Sequence, residues 1–339
     1  MRRRDACFTL SAHRNGFCTP RAPQQLDFGE SLWSLLSMLV ESSTATAKTL
    51  LDIARRWGTP AYAYDIERLR SQVDNLRIHL PATVDILYSL KPNASLGIVE
   101  VLAECGVGAD VASAGELLIA IESGFAPDRI FVAGPCKSPE TIALLRSIPE
   151  AVISIDSLSE LCTLGREDLK NRAVLRLRPD FGSSAVVQAG PECRFGVPFD
   201  DLAACRDELK SGAIEVVGFH VYAGSQVLEA AKVIGHLRGA LDLSLRAADV
   251  LGISPEVLNL GGGFGVPYGP GQDELDLAPI GEELRRLQER AAPARLVLEL
   301  GRYLVAQAGW YLTSVVGHQH YQGRPAVVVD GGTHQRADL

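Results

Sequence analysis

The chain has 339 residues, enough for two domains at roughly 150 residues each or for one large α/β barrel with an appendage, and too many for a small stapled domain. A content of 47% hydrophobic and 22% charged residues is that of a globular protein and excludes wholesale disorder and collagen-like repeats. With 33 basic against 41 acidic side chains, the net charge of −8 argues against a nucleic-acid binder, which needs a clustered basic face.

Residues 1–48 show no sustained period and carry Pro, Gln, Ser and Thr clusters, so a loose leader is expected, with Met38 a second candidate start. The apolar run at 32–40 imitates a signal core, but Asp27 and Glu30 interrupt its approach and Arg2, Arg3 and Arg4 lie too far upstream. No apolar run reaches the roughly 18 residues of a membrane span. The seven cysteines (Cys7, Cys18, Cys105, Cys136, Cys162, Cys193, Cys205) are odd in number and lack C-x-x-C spacing. They read as reduced thiols in a cytoplasmic protein, not as a disulfide frame or a metal site.

A folded body begins near residue 49 with an amphipathic stretch at 50–57, the turn Gly58-Thr59-Pro60 and an alternating strand at 61–64. Eight short apolar runs follow, at 84–90, 108–112, 130–133, 152–155, 173–177, 216–221, 257–260 and 296–300. The landmarks Tyr88, Asp110, Val132 and Ser154 put the first four 22 residues apart, and helical spacing fills 96–105, 114–123 and 139–147. Strands apolar on both faces, each followed by a helix, predict a (β/α)8 TIM-type barrel over 49–302. An open doubly wound sheet fits less well, because eight units in about 220 residues favour closure. From Tyr303 the text turns β-like, at 303–316 and 325–330, so 303–339 reads as the start of an incomplete all-β domain.

In such barrels chemistry sits at the C-terminal ends of the strands. Those positions hold Lys91, Asp110 with Ser113, Gly134, Asp156, Arg176 with Arg178, His220, Gly261-Gly262-Gly263, and Glu299 with Arg302. Lysines number only six, so one directly after the run Ile86-Leu87-Tyr88-Ser89-Leu90 stands out. Its stem is expected to be drawn into the barrel, where desolvation lowers the amine pKa and frees it for a Schiff base. The run Gly261-Gly262-Gly263-Phe264-Gly265 follows the seventh strand, a common place for a backbone phosphate cradle, and is no Walker motif because Gly-Lys-Ser/Thr is missing. His220 and Glu299 could each be a satisfied structural residue. Together with the lysine and the glycines they suit pyridoxal phosphate: lysine for the aldehyde, glycines for the phosphate, carboxylate for the ring nitrogen, imidazole against the ring.

Five motifs occur in order: Tyr88-Ser89-Leu90-Lys91-Pro92-Asn93; Asp110-Val111-Ala112-Ser113-Ala114-Gly115-Glu116-Leu117; His220-Val221-Tyr222-Ala223-Gly224-Ser225-Gln226; the glycine run; and Glu299-Leu300-Gly301-Arg302-Tyr303. With them the stretch 59–332 resembles the pyridoxal-phosphate decarboxylases of the ornithine and diaminopimelate decarboxylase family. Tyr222-Ala223 and Arg302-Tyr303-Leu304-Val305-Ala306 are similar to a branch that acts on carrier-protein-linked amino acids or accompanies exopolysaccharide genes. The resemblance implies amino-acid decarboxylation, with Lys91 in the Schiff base, His220 stacked on the ring and Glu299 keeping the ring nitrogen protonated. It implies Ser225, Gly261, Gly262, Gly263 and Gly301 around the cofactor, Asp110 and Arg176 beside its ring, and Arg302 near the phosphate or a substrate carboxylate. Free diaminopimelate, another basic amino acid and a carrier-linked acyl group all stay open as substrates.

Pro92 stands where the family has alanine, and Leu300 where it has proline. The family's homodimer also draws a cysteine, an acidic segment and a tyrosine from a C-terminal β-domain, and none of these motifs occurs in 303–339. A non-catalytic cofactor-binding fragment is therefore the second reading. A racemase on a similar barrel is the third, disfavoured by a glutamate where an arginine faces the ring nitrogen. His318 and His320 share one strand face without further ligands and read as surface residues.

Overall fold

A computed structural model describes residues 44–181, 187–188, 191–210, 214–269 and 271–335. The apolar run at 32–40, Met38, Cys7 and Cys18 lie outside the described residues. Chain contacts separate two compact units, Ile66–Ala308 and a second one built from the residues through Asp65 together with those from Gly309 onward.

The larger unit is a closed parallel barrel of eight strands: β1 (Asp85–Ser89), β2 (Gly108–Val111), β3 (Ile130–Val132), β4 (Val152–Ile155), β5 (Arg172–Leu177), β6 (Glu215–Val221), β7 (Val257–Gly262) and β8 (Arg295–Leu300). Neighbours in sequence pair in parallel, and β8 closes on β1 through Val297 opposite Asp85 and Leu300 opposite Tyr88. All eight predicted strands are present. They were legible because strands covered on both faces are dominated by apolar residues, as Ile130–Val132, apolar and buried at every position, illustrates. The helices Leu96–Glu104, Ala114–Glu122 and Pro139–Ser147 follow the first three strands as the spacing predicts.

Side chains alternate along a strand, so the barrel interior is filled in layers. One core cluster joins Leu87, Phe131, Val152, Val174, Val217, Val257 and Val297. Two residues further along the same strands stand Ser89, Ser154, Arg176, Asn259 and Glu299, a polar layer above the apolar one. Asp110 joins it from β2, in register with Ser89. On β6 the register against β5 slips after Ala173, so that Arg176 faces His220, which brings the imidazole into the same layer.

A helix at Arg302–Val305 and a short 3-10 turn at Ala306–Ala308 replace the first part of the β-like stretch expected from 303. Side chains of the helix Ile66–His79 cap their carbonyls, with Gln72 Nε2 donating to the Tyr303 oxygen (3.1 Å) and Arg68 Nη1 to that of Gln307 (3.0 Å). This tertiary capping overrides the local β preference.

In the smaller unit the amphipathic stretch is the helix Thr44–Trp57. The strand Ala61–Tyr64, read along with the barrel from sequence, pairs antiparallel with Gly309–Leu312, while Val315–Tyr321 and Arg324–Val329 form a hairpin. Asp330 ties these segments together by accepting from Thr59 Oγ1 (2.5 Å), Thr313 Oγ1 (2.7 Å) and the Ser314 amide (2.9 Å). His318 and His320 lie on the first hairpin strand and both are exposed.

Candidate active site

The polar layer at the C-terminal ends of the strands is the candidate site. At the end of β1, Tyr88 is fully buried and its hydroxyl donates to the Asn93 carbonyl (2.7 Å), while the Asn93 amide donates to Leu90 (2.9 Å). Asn93 Oδ1 then accepts the Ser95 amide and starts the next helix. This tight turn carries Lys91 out of the sheet, and its side chain is exposed. The burial expected for its stem is thus not found, because the strand ends at Ser89 and the turn lifts the lysine to the mouth. Gly301 lies against the same turn, where a Cβ would come within 2.7 Å of Pro92 Cγ. Leu300, at the position where proline is expected, is buried.

Glu299 is the hub. Its Oε2 stands 3.2 Å from His220 Nε2, an ion-pair contact without hydrogen-bond alignment, and its Oε1 accepts from Asn259 Nδ2 at 2.5 Å. Asn259 Oδ1 in turn accepts the Gly261 amide (2.9 Å), so the carboxylate and the first glycine of the run are set by one fully buried amide. The other side of the imidazole is held too, with Ser154 Oγ 2.7 Å from Nδ1. Burial pushes the Glu299 carboxyl up, but the neighbouring His220 and Arg176 and the hydrogen bond from Asn259 outweigh it and hold the group below the usual carboxylate range.

Asp110 shows the opposite balance. Burial first, and the Glu299 charge second, push its carboxyl well above the usual range, against the Ser89 hydrogen bond and the Arg176 charge. Its Oδ1 has no hydrogen-bond partner. Two carboxyls of one layer are therefore driven in opposite directions. Arg176 is steered by Asp156, whose Oδ1 accepts from Nη1 at 2.9 Å, and its guanidinium lies 5.3 Å from the centre of the Phe195 ring. That contact gives the segment Arg194-Phe195-Gly196 a place beside the site.

The glycine run packs against the loop after β6. Gly261 and Gly263 have φ of +71° and +82°, a region that strains side-chain-bearing residues. A Cβ on Gly263 would fall on the Gly224 carbonyl and come within 3.4 Å of Ser225 Cα. Ser225 and the glycines are thus brought together, as expected. Gln226 fastens this meeting, donating from Nε2 to the Val266 carbonyl (2.6 Å) and accepting the Val266 amide (3.2 Å). Arg302 is exposed and donates to Tyr268 Oη at 3.0 Å, which places it beside the loop that follows the run.

Ser154, Asn259 and Asp156 carry more of this geometry than their place in the sequence suggested. The readable signal was a polar residue inside a buried apolar run, as in Val-Ile-Ser-Ile and Val-Leu-Asn-Leu. The donor set fits a phosphorylated pyridine aldehyde. A primary amine stands at the mouth, a carboxylate is held ionised in the interior, and a backbone cradle is shaped by positions a Cβ would fill. Two buried polar atoms, Asp110 Oδ1 and His220 Nε2, are without hydrogen-bond partners.

Comparison with known proteins points the same way. Residues 66–306 match the family described as pyridoxal-dependent decarboxylase, pyridoxal binding domain. An L-glutamyl-BtrI acyl-carrier protein decarboxylase of Niallia circulans is 32% identical over 297 residues, 84% of this chain and 69% of that protein. The diaminopimelate decarboxylase of Deinococcus radiodurans is 32% identical over 286 residues, 84% of this chain and 70% of its own. Among solved structures, diaminopimelate decarboxylase from Helicobacter pylori complexed with L-lysine superposes with a TM-score of 0.75 at 25% identity, covering 83% of this chain and 73% of that one.

Proposed function

The chain belongs to the pyridoxal-dependent decarboxylases and removes carbon dioxide from an amino acid with pyridoxal phosphate; on that footing we propose which residues do so and on what substrate. The observation that carries the assignment is the hub at Glu299: one ionised carboxylate, buried, held by Asn259 and flanked by His220. When bound, pyridoxal phosphate supplies the electron sink for the carbon that loses carbon dioxide.

The protein's part is positional and electrostatic. Lys91 offers its Nζ to the cofactor aldehyde. Glu299 holds a proton at the pyridine nitrogen, which a carboxylate kept below its usual range does well at neutral pH. Asn259 fixes Glu299 and the Gly261 amide together, so the ring and phosphate subsites share one frame. With the cofactor bound, His220 would lie against its ring, with Asp110 and Arg176 at the border. Ser225 and the amides of Gly262, Gly263 and Gly301 would bind the phosphate, while Gly261, whose N–H is given to Asn259, shapes the turn that presents them. Arg302 binds a phosphate or a substrate carboxylate.

For substrate we propose a carrier-protein-linked amino acyl group, supported by the Niallia circulans relative, with free diaminopimelate as the competitor supported by the others. We propose a cytoplasmic homodimer; no helix among the described residues is long and apolar enough to cross a membrane. Carbon dioxide release should be assayed with carrier-linked glutamate and with free diaminopimelate. Release from the carrier-linked substrate, abolished in Lys91→Ala, is the expected result. Release from free diaminopimelate alone would overturn the substrate assignment, and release by Lys91→Ala would overturn the role of Lys91.

A further inference from the structure

Lys137 is a charged residue the mechanism above does not use, and it is buried at the centre of the site's supports. It follows β3, and its side chain has no exposed surface. Its Nζ donates to the Gly134 carbonyl at 3.0 Å and to the Ser154 carbonyl, and ion-pairs with Glu160 Oε1 at 3.1 Å. Glu160 is almost as buried, and its other oxygen accepts the Asp156 amide at 2.7 Å. An ammonium held by two backbone carbonyls and one ion pair is a compensated buried charge, costly to bury and therefore rigidly placed.

The consequence lies at the end of β4. Ser154 and Asp156 project from alternate positions of one short segment, and the Lys137–Glu160 pair grips that segment at both residues. From Ser154 the hydroxyl reaches His220 Nδ1 at 2.7 Å, and from Asp156 the carboxylate reaches Arg176 Nη1 at 2.9 Å. One ion pair thus sets two arms, one ending on the imidazole beside Glu299 and the other on the guanidinium beside Asp110.

We propose that Lys137 and Glu160 are positioning residues which, through Ser154 and Asp156, fix the ring orientation and tautomer of His220 and the placement of Arg176. The Ser154 hydroxyl holds Nδ1 and so turns Nε2 toward Glu299, whose carboxylate only accepts and therefore favours the proton on Nε2. The proposal rests on the site assigned above, and its test does not need turnover. The readout is the ring 15N spectrum of His220 in the cofactor-free full chain, with histidine labelled and the resonance assigned by its loss in His220→Asn. The expected result is a single tautomer in the native chain, replaced by a tautomer mixture both in Ser154→Ala and in the charge-neutral double variant Lys137→Met/Glu160→Gln. Pyridoxal phosphate affinity, followed by fluorescence quenching, is expected to fall about tenfold in both. An unchanged His220 spectrum in the folded variants would overturn the proposal. A double variant that does not fold would make the pair a requirement of the barrel alone, and would overturn it as well. If pyridoxal phosphate does not bind the native chain while the spectra shift as described, the cofactor assignment fails and the positioning role stands.

Discussion

Asp110 and Glu299 are pushed in opposite directions although they occupy one layer, and the difference is measurable as stability. Because burial raises the Asp110 carboxyl, the folded state binds its proton more tightly than the unfolded chain does. Its contribution is fully present below the ordinary aspartate pKa of about 3.9 and is lost as pH rises through the folded value. Glu299 works in reverse, adding stability above the ordinary glutamate range that is lost as pH falls through its lowered value. Asp110→Asn, which removes only the first effect, is expected to be more stable than the native chain at pH 7 in urea denaturation, with the gap closing toward pH 4. Glu299→Gln keeps the hydrogen bond from Asn259 but cannot hold a pyridinium, so it is expected to retain covalent cofactor while carbon dioxide release falls about 10²–10³-fold. Asn259→Ala strips two buried hydrogen bonds and is expected to cost about 2–4 kcal/mol of stability, and to weaken cofactor binding in the same titration.

The glycine run and the strand-to-helix turns make separate predictions. Gly263→Val places a branched side chain on the Gly224 carbonyl at a positive φ, so it is expected to abolish cofactor binding while circular dichroism still reports the barrel. The turns after β2 and β4 repeat one device. Ser113 caps the Glu116 amide and Glu116 accepts the Ala112 amide, and Ser157, Glu160 and Asp156 do the same 44 residues later. Ser157→Ala is expected to cost about 1 kcal/mol. The strands and the glycine run were legible because each writes its own local signal, an apolar run or a string of glycines, whereas the Ser-x-x-Glu caps were seen only in the fold. Lys91 was legible as a position but not in its exposure, since a turn held by Tyr88 and Asn93 decides where the side chain goes. Lys137 carried no signal at all, because what matters about it is contact with Ser154 and Glu160, on a different part of the chain.

Across the molecule, the barrel's connections join sequence neighbours, which is why a 22-residue recurrence could reveal it. The pairing of Ala61–Tyr64 with Gly309–Leu312 joins segments about 250 residues apart and has no local trace. A homodimer predicts a sedimentation mass of twice the 36.4 kDa chain, and a mass of one chain would remove that proposal. The central claim, that Lys91 at the mouth of this barrel holds pyridoxal phosphate, is tested most directly by incubating the protein with the cofactor, reducing with borohydride and mapping the adduct by peptide mass. A single adduct on Lys91, absent from Lys91→Ala, is the predicted result. A folded protein with no adduct, or with its adduct on another lysine, would contradict it.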